Sequence, residues 1–227
     1  MEARPFAART AEILLETGAV RVSMKRPFML TSGWASPVYV DCRRLISFPD
    51  LRSEIVDMAL VAIRRAVDTR ELDGLAGGET AGIPFASWLA DRLRLSMSYI
   101  RKKPKGFGEN AQIEGVLQPG ARTLLVDDLT TDARSKLLFC AALRRAGVQV
   151  EHGFVIFFYD VFPGAREAME DLGLRLHSLA TWRELIEVAR ERRALEPPAL
   201  AEVDAFLADP PAWSAAHGGR SEPLRWG

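Results

Sequence analysis

The 227 residues suffice for one sizeable domain with its own hydrophobic core. Apolar residues make up 48% and charged residues 26%, and 30 basic side chains balance 30 acidic ones, so the formal net charge is zero. That balance argues against a general nucleic-acid or anionic-membrane binder, which relies on surplus positive charge. No apolar run reaches the length of a membrane span. Residues 1–10 carry Glu2 and lack the apolar stretch of a secretory signal, so a cytoplasmic protein is expected. The two cysteines, Cys42 and Cys140, and the three histidines, His152, His177 and His217, are scattered. They fit two reduced thiols, rather than a disulfide framework, a zinc site or a mechanism built on a histidine base.

Residues 5–17 place Phe6, Ile13 and Leu14 on one side of a helix that Gly18 ends. Residues 27–48 hold Pro27, Gly33 and Pro37 between short apolar pieces such as Val38-Tyr39-Val40, which predicts short strands and turns. Over 49–67, Leu51, Ile55, Met58, Ala59 and Ala62 recur at helical spacing. From residue 72 the pattern alternates. A strand over 72–76 leads to a turn at Gly77-Gly78, a helix over 83–93 and a strand over 97–100. Residues 101–115 are polar and lack an apolar period. A strand over 123–126 and a helix over 135–145 follow, then the apolar strand containing Phe154-Val155-Ile156-Phe157-Phe158. A helix over 165–172, a strand over 174–179 and a helix over 182–193 complete the series. Such alternation predicts an α/β domain with a mainly parallel sheet and helices on both faces. Pro197-Pro198, a short helix over 200–207, Pro210-Pro211 and Gly218-Gly219 read as an appended, partly mobile tail. The expected division is therefore a domain over 1–195 and a C-terminal extension over 196–227.

Three segments could carry chemistry. In the first, the strand Thr123-Leu124-Leu125-Val126 ends in Asp127-Asp128, a hydroxyl-rich loop Leu129-Thr130-Thr131-Asp132-Ala133-Arg134 follows, and a helix begins near Ser135. Ligands of open α/β sheets sit at the carboxyl ends of strands, where carboxylates accept hydrogen bonds from sugar hydroxyls. Loop hydroxyls and amides at a helix start hold phosphate, so the segment fits a ribose 5-phosphate. It would equally serve as a strand end followed by a helix capped by Asp132 or Ser135. In the second, three of only five lysines, Lys102, Lys103 and Lys105, follow Arg101 and precede Gly106 and Gly108. A mobile clamp on a polyanion needs flexible point charges and glycine hinges, although a solvated basic loop has the same composition. The third segment, Ala76-Gly77-Gly78-Glu79-Thr80-Ala81-Gly82-Ile83-Pro84, allows close backbone approach to a phosphate or makes a plain tight turn.

Together these segments resemble the type I phosphoribosyltransferases, and within them the orotate phosphoribosyltransferases. The resemblance also takes in Leu30-Thr31-Ser32-Gly33, Ser36 to Arg43, Asn110 to Gly115 and Phe157-Phe158-Tyr159-Asp160, and covers residues 10–195. The Lys-Lys-Pro-Lys-Gly loop is similar to that of a bacterial branch. The resemblance implies a small hood subdomain built from residues 18–48. It implies transfer of ribose 5-phosphate from phosphoribosyl pyrophosphate to N1 of orotate, through an oxocarbenium-like transition state. Mg²⁺ would be held by the substrate pyrophosphate, with no direct protein ligand assigned. By motif match, Asp127 and Asp128 hold the ribose hydroxyls and, with Lys105, form the catalytic set. Thr130, Thr131, Asp132, Ala133, Arg134 and Ser135 cradle the 5-phosphate. Arg101, Lys102, Lys105, Glu79 and Thr80 match pyrophosphate positions, and Ser32 and Tyr39 the orotate hood. A homodimer is implied, with the loop over 103–112 closing on the partner's site.

The sequence departs from this pattern in places. Ala133-Arg134 replaces a glycine pair in the phosphate loop, so any position there that needs a positive φ would be strained by about 1 kcal/mol or more. Phe107 replaces a histidine found in many members, and Thr31 and Ala81 replace lysines found in some. No arginine follows Phe157-Phe158 to hold the orotate carboxylate, and Asp160 has the wrong charge for it. A phosphoribosyltransferase for another base, or a non-catalytic paralogue that senses phosphoribosyl pyrophosphate, are the alternatives. A nucleic-acid role fits least.

Overall fold

The computed structural model describes residues 6–105 and 112–222. Helix α1 (Ala7–Glu16) buries Ala11, Ile13 and Leu14, and Gly18 ends it at φ +64°. Four short strands follow: β1 (Val20–Val22), β2 (Phe28–Met29), β3 (Ala35–Ser36) and β4 (Val38–Val40). β1 pairs antiparallel with β4, and β2 with β3, making two small ribbons where strands and turns are expected. A 3-10 helix over Cys42–Ser47 then leads into α2 (Pro49–Ala66). Pro49 starts α2 at a position where the lost N–H costs nothing, Asp50 sits in its first turn, and Arg64 and Arg65 in its last.

The main sheet is built from β5 (Gly74–Gly78), β6 (Ser96–Ile100), β7 (Ile113–Glu114), β8 (Thr123–Thr130), β9 (His152–Phe158) and β10 (Arg175–Thr181), ordered β10-β9-β8-β5-β6-β7. All neighbours are parallel except β6 and β7, which run antiparallel at one edge. Between the strands lie α3 (Gly82–Leu93), α4 (Arg134–Arg145) and α5 (Ala165–Asp171), and α6 (Trp182–Glu191) follows β10. Two cores flank the sheet because both strand faces are apolar. Leu124, Val126, Phe154 and Ile156 pack with α1, α2, α3 and α6 on one face. Leu125, Val155 and Phe158 pack with Phe139, Leu143 and Met169 of α4 and α5 on the other. The α/β sheet with helices on both faces is thus present. Among the described residues no helix is long and apolar enough to cross a membrane.

Several boundaries differ from the sequence reading. Gly77 and Gly78 are not a turn but the end of β5, fully buried and paired with Tyr99 and Ile100. Glycine is needed there for space, since a Cβ on Gly78 would stand 2.5 Å from the Phe139 ring. β8 does not stop at Val126; it runs through both carboxylates to Thr130. The polar stretch after residue 100 contains β7, paired through Tyr99↔Glu114 and Ile100↔Ile113. The C-terminal extension is not a loose tail. It forms α7 (Pro197–Ala208) and α8 (Pro210–Ala216), and Val203 and Phe206 join the core. Trp213 lies edge-on to Phe206 at 5.5 Å and donates through Nε1 to Glu202 at 2.8 Å, whereas Trp226 lies outside the described residues. Phe206→Ala should therefore cost about 3–5 kcal/mol, as truncation of a fully buried aromatic does. Urea denaturation showing a change below about 0.5 kcal/mol would separate the extension from the core.

Candidate active site

The strand order reverses between β5 and β8, which makes their carboxyl edge the place where an open α/β sheet binds ligands. Register brings Gly77 opposite Val126 and Gly78 opposite Ile100. Glu79, Arg101 and Asp127 therefore leave three adjacent strands at one edge. α3 begins close above it: a Cβ on Gly82 would stand 2.5 Å from Val126 O and 2.9 Å from Asp127 Cα. The third glycine of this segment thus gives a helix close access to a strand.

Asp127 and Asp128 are both buried. Asp127 is held from two sides. Its Oδ1 accepts from Asp128 N at 3.0 Å, and its Oδ2 accepts from Lys136 Nζ at 2.6 Å. Lys136 is 1% exposed. Its ammonium also donates to Leu129 O at 2.6 Å and to Ser135 Oγ at 3.3 Å. The sequence reading gave the two carboxylates one role; the structure distinguishes them, because Asp127 is committed to a lysine that reading passed over. Asp128 carries the electrostatic cost. Burial, then the charge of Asp127, push its carboxyl up to about 7, with Lys136 opposing. Burial raises the Cys42 thiol, helped by Asp128, Asp41 and Asp127, and burial raises Cys140 to about 11. Neither thiol is poised for nucleophilic work.

The loop after β8 is shaped by Ala133, which caps α4 with φ +69° and ψ −15°, the left-handed region in which glycine is at ease. Arg134 already belongs to the helix, so only one of the two expected glycine positions is strained. Neither Asp132 nor Ser135 is the cap residue. Thr130 Oγ1 and Asp132 Oδ2 are buried without a hydrogen-bond partner, and Asp132 Oδ2 is 4.0 Å from the Arg134 guanidinium. Thr131 and Ser135 are half-buried beside them. Arg134 spans to the hood, donating to Thr31 O at 3.4 Å and Ser32 O at 3.2 Å. Ser32 is therefore brought to the phosphate loop. Tyr39 is half-buried on β4, where its hydroxyl accepts from Arg43 at 3.1 Å and the Arg21 guanidinium lies 4.9 Å from its ring.

Glu79 stands at the start of the basic segment, where its Oε2 accepts from Lys102 N at 2.6 Å. Its peptide to the exposed Thr80 is cis. Arg101 lies 3.5 Å from Glu114 and its N donates to Gln112 O at 2.7 Å. Lys102, Lys103 and Lys105 are exposed. Phe107, Asn110 and the middle of the 103–112 loop lie outside the described residues. Asp160, beyond β9, is not an isolated acid. Arg166 Nε donates to it at 2.6 Å, and the Arg166 guanidinium lies 5.3 Å from the Phe158 ring, so the Asp160 charge is met by an arginine of α5. Among the described residues no group of three or more His, Cys, Asp or Glu could cage a metal. His152 and His177, distant in sequence, meet on β9 and β10 with Nδ1 and Nε2 2.9 Å apart. They sit at the opposite end of the strands, beside a cavity of about 130 Å³ lined by Leu72, Arg122, Thr123 and Arg175.

No protein-family model matches the chain. It is 51% identical over 214 residues to the orotate phosphoribosyltransferase of Sinorhizobium medicae, covering 94% of this chain and 92% of that one. The chain belongs to the orotate phosphoribosyltransferase family. The member from Dinoroseobacter shibae is 49% identical over 212 residues, covering 93% and 94%. Among solved structures, the orotate phosphoribosyltransferase of Aeropyrum pernix superposes with a TM-score of 0.68 at 31% identity, covering 82% of this chain and 99% of that one. The Leishmania donovani UMP synthase gives 0.76 at 27% identity, covering 88% of this chain and 42% of that one. The resemblance read from the motifs is therefore correct at the level of the family.

Lys136 was legible in principle. It stands in i, i+3, i+4, i+7 register with Phe139, Cys140 and Leu143, the buried stripe of α4. A lysine on that stripe must find a buried anion. Lys136→Met should lower stability by about 3–5 kcal/mol by leaving Asp127 unpaired. Adding Asp127→Asn should restore much of it; a double variant no more stable than the single one would remove the pair from the account. Asp128 sets a pH dependence. Its carboxyl rises from 3.8 when unfolded to about 7 when folded, so its contribution is full below pH 4 and is lost as pH rises through 7. Asp128→Asn should gain on the parent between pH 5 and pH 8, by about 2–4 °C in Tm for each kcal/mol. A Tm difference that stays flat with pH would contradict the assignment.

Proposed function

We propose that the chain transfers ribose 5-phosphate from phosphoribosyl pyrophosphate to N1 of orotate, releasing pyrophosphate and forming orotidine 5′-monophosphate. The observation that carries this reading is the carboxylate pair Asp127–Asp128, fixed by Lys136 at the switch point of the sheet and followed directly by a hydroxyl-bearing loop and a helix start. The C1–O bond to pyrophosphate breaks as N1 attacks, and positive charge develops on the ribose. Two buried carboxylates beneath that ring act where the charge appears. Asp128 accepts from the ribose hydroxyls, and Asp127, its charge offset by Lys136, fixes the strand end on which Asp128 stands.

The 5-phosphate rests against Thr130, Thr131 and Ser135 and the first amides of α4, with Arg134 adding a cation where relatives of the pattern have glycine. Arg101, Lys102 and Lys105 neutralise the departing pyrophosphate, and Glu79 and Thr80 line the same pyrophosphate position, Glu79 also holding the Lys102 amide. Mg²⁺ suits this donor set when carried on the substrate's own pyrophosphate oxygens, where it would offset their charge; the described residues offer no cage of their own. Ser32 and Tyr39 of the hood cover the base. We place the enzyme in the cytoplasm as a homodimer whose 103–112 loop closes on the partner's site.

Loss of orotate absorbance with purified protein, phosphoribosyl pyrophosphate and Mg²⁺ is the direct test, and it should vanish without Mg²⁺. A folded protein that binds phosphoribosyl pyrophosphate but leaves orotate intact would overturn the activity. Lys105→Ala should lower kcat/KM by at least about tenfold while leaving Tm within about 1 °C, because an exposed lysine adds little to folding. Parallel losses in melting and catalysis would count against a clamp.

A further inference from the structure

The C-terminal extension returns to the hood. Ala35 N donates to Ser214 Oγ at 2.9 Å, and Arg220 N donates to Gly33 O at 2.9 Å. The Arg220 guanidinium donates to Ser32 O at 3.3 Å and lies 5.8 Å from the Trp34 ring. Gly219 is pressed into this junction, where a Cβ would stand 2.3 Å from Ala35 N and 2.4 Å from Ser214 Oγ. Only a residue without a side chain fits between backbone and hydroxyl at that spacing. Beneath it, Trp34 stacks on Phe162 at 4.8 Å, Phe162 meets Phe206 at 6.0 Å, and Phe206 meets Trp213 at 5.5 Å. An aromatic column thus runs from the hood loop into the extension.

The hood loop has little structure of its own. The β2–β3 ribbon has two registered pairs, Phe28↔Ser36 and Met29↔Ala35, and a ribbon that small does not hold itself in water. Its position is set from outside. Arg134 pins Ser32 O from the phosphate-loop side, and Arg220 pins the same oxygen from the extension. Ser32 Oγ and Arg220 Nε are buried at this junction without a hydrogen-bond partner, so the loop presents polar groups there.

We propose that residues 214–220 are a latch that positions loop 31–35, so that the C-terminal extension sets the affinity for the base substrate. The inference rests on the reading that this loop covers the base. The carboxylates are anchored separately, by Lys136 and β8, and the phosphate loop leaves that same strand and meets loop 31–35 through Arg134, a contact that does not pass through residues 214–220. Displacing the latch therefore acts on the base and spares the phosphorylated sugar.

The test uses steady-state kinetics on full-length Gly219→Val, Ser214→Ala and Ser32→Val. Gly219→Val should raise the KM for orotate about tenfold and Ser214→Ala about threefold, with the KM for phosphoribosyl pyrophosphate within about twofold of the parent. Ser214→Ala removes one hydrogen bond and keeps the test decisive should Gly219→Val fail to fold. Ser32→Val examines the base-site reading by itself: an unchanged orotate KM removes the loop from the base site and the latch with it. A raised orotate KM in Ser32→Val, with both latch variants at parent values, overturns the latch and leaves that reading standing. Equal rises in both KM values would make the extension packing alone.

Discussion

The buried ion pair between Lys136 and Asp127 is the constraint on which the site depends. Two adjacent carboxylates on a buried strand repel each other and lose their hydration, and each buried ion costs several kcal/mol unless it is paired. Lys136 offsets one charge outright and opposes the rise in the other. β8 continues past Val126 through its pairing with β9, and the Lys136 ammonium takes up the Leu129 carbonyl at its end as well as the carboxylate. The same side chain thereby shapes the strand end and the start of the loop that follows.

A second principle governs the hood. Its ribbons are too short to be stable alone, and side chains from three distant segments hold it. Tyr159 Oη accepts from Val40 N at 3.1 Å, Trp34 stacks on Phe162, and Arg134 and Arg220 meet at Ser32. Burial pushes the Tyr159 hydroxyl well above the ordinary tyrosine value, so it stays protonated. Every one of these contacts comes from the carboxyl side of the sheet or from the extension. The hood is therefore registered to the same edge that carries the carboxylates.

Electrostatic function in this neutral chain comes from arrangement. The basic stretch 101–105 follows β6 and the acidic pair lies on β8, with β5 between them, and glycines let the intervening elements approach one another. Gly82 allows α3 to begin against Asp127, and Gly78 makes room for Phe139 of α4 on the opposite face. The carboxylates and the basic stretch are thereby set on either side of β5 without any net charge on the molecule.

The fold class was legible because strands buried on both faces read as apolar runs and helices as periodic ones, and Phe154 to Phe158 or Leu51 to Ala62 show those patterns directly. Asp127, Asp128 and the loop to Ser135 were legible as a local motif, since one strand, one loop and one helix start hold them together. Helix ends such as Gly18 were readable for the same local reason. The split in roles between the two aspartates was not, because it depends on a lysine's burial, which only packing settles. The contact of Glu79 with the Lys102 amide was not legible either, because it is made across two strands. The extension read as a tail because its prolines and glycines are also the marks of loose chain. Composition and local pattern determine which elements form and where the charged clusters lie. Which charges are paired, which stay available and what holds the hood follow from long-range packing, and only the tertiary structure decides those.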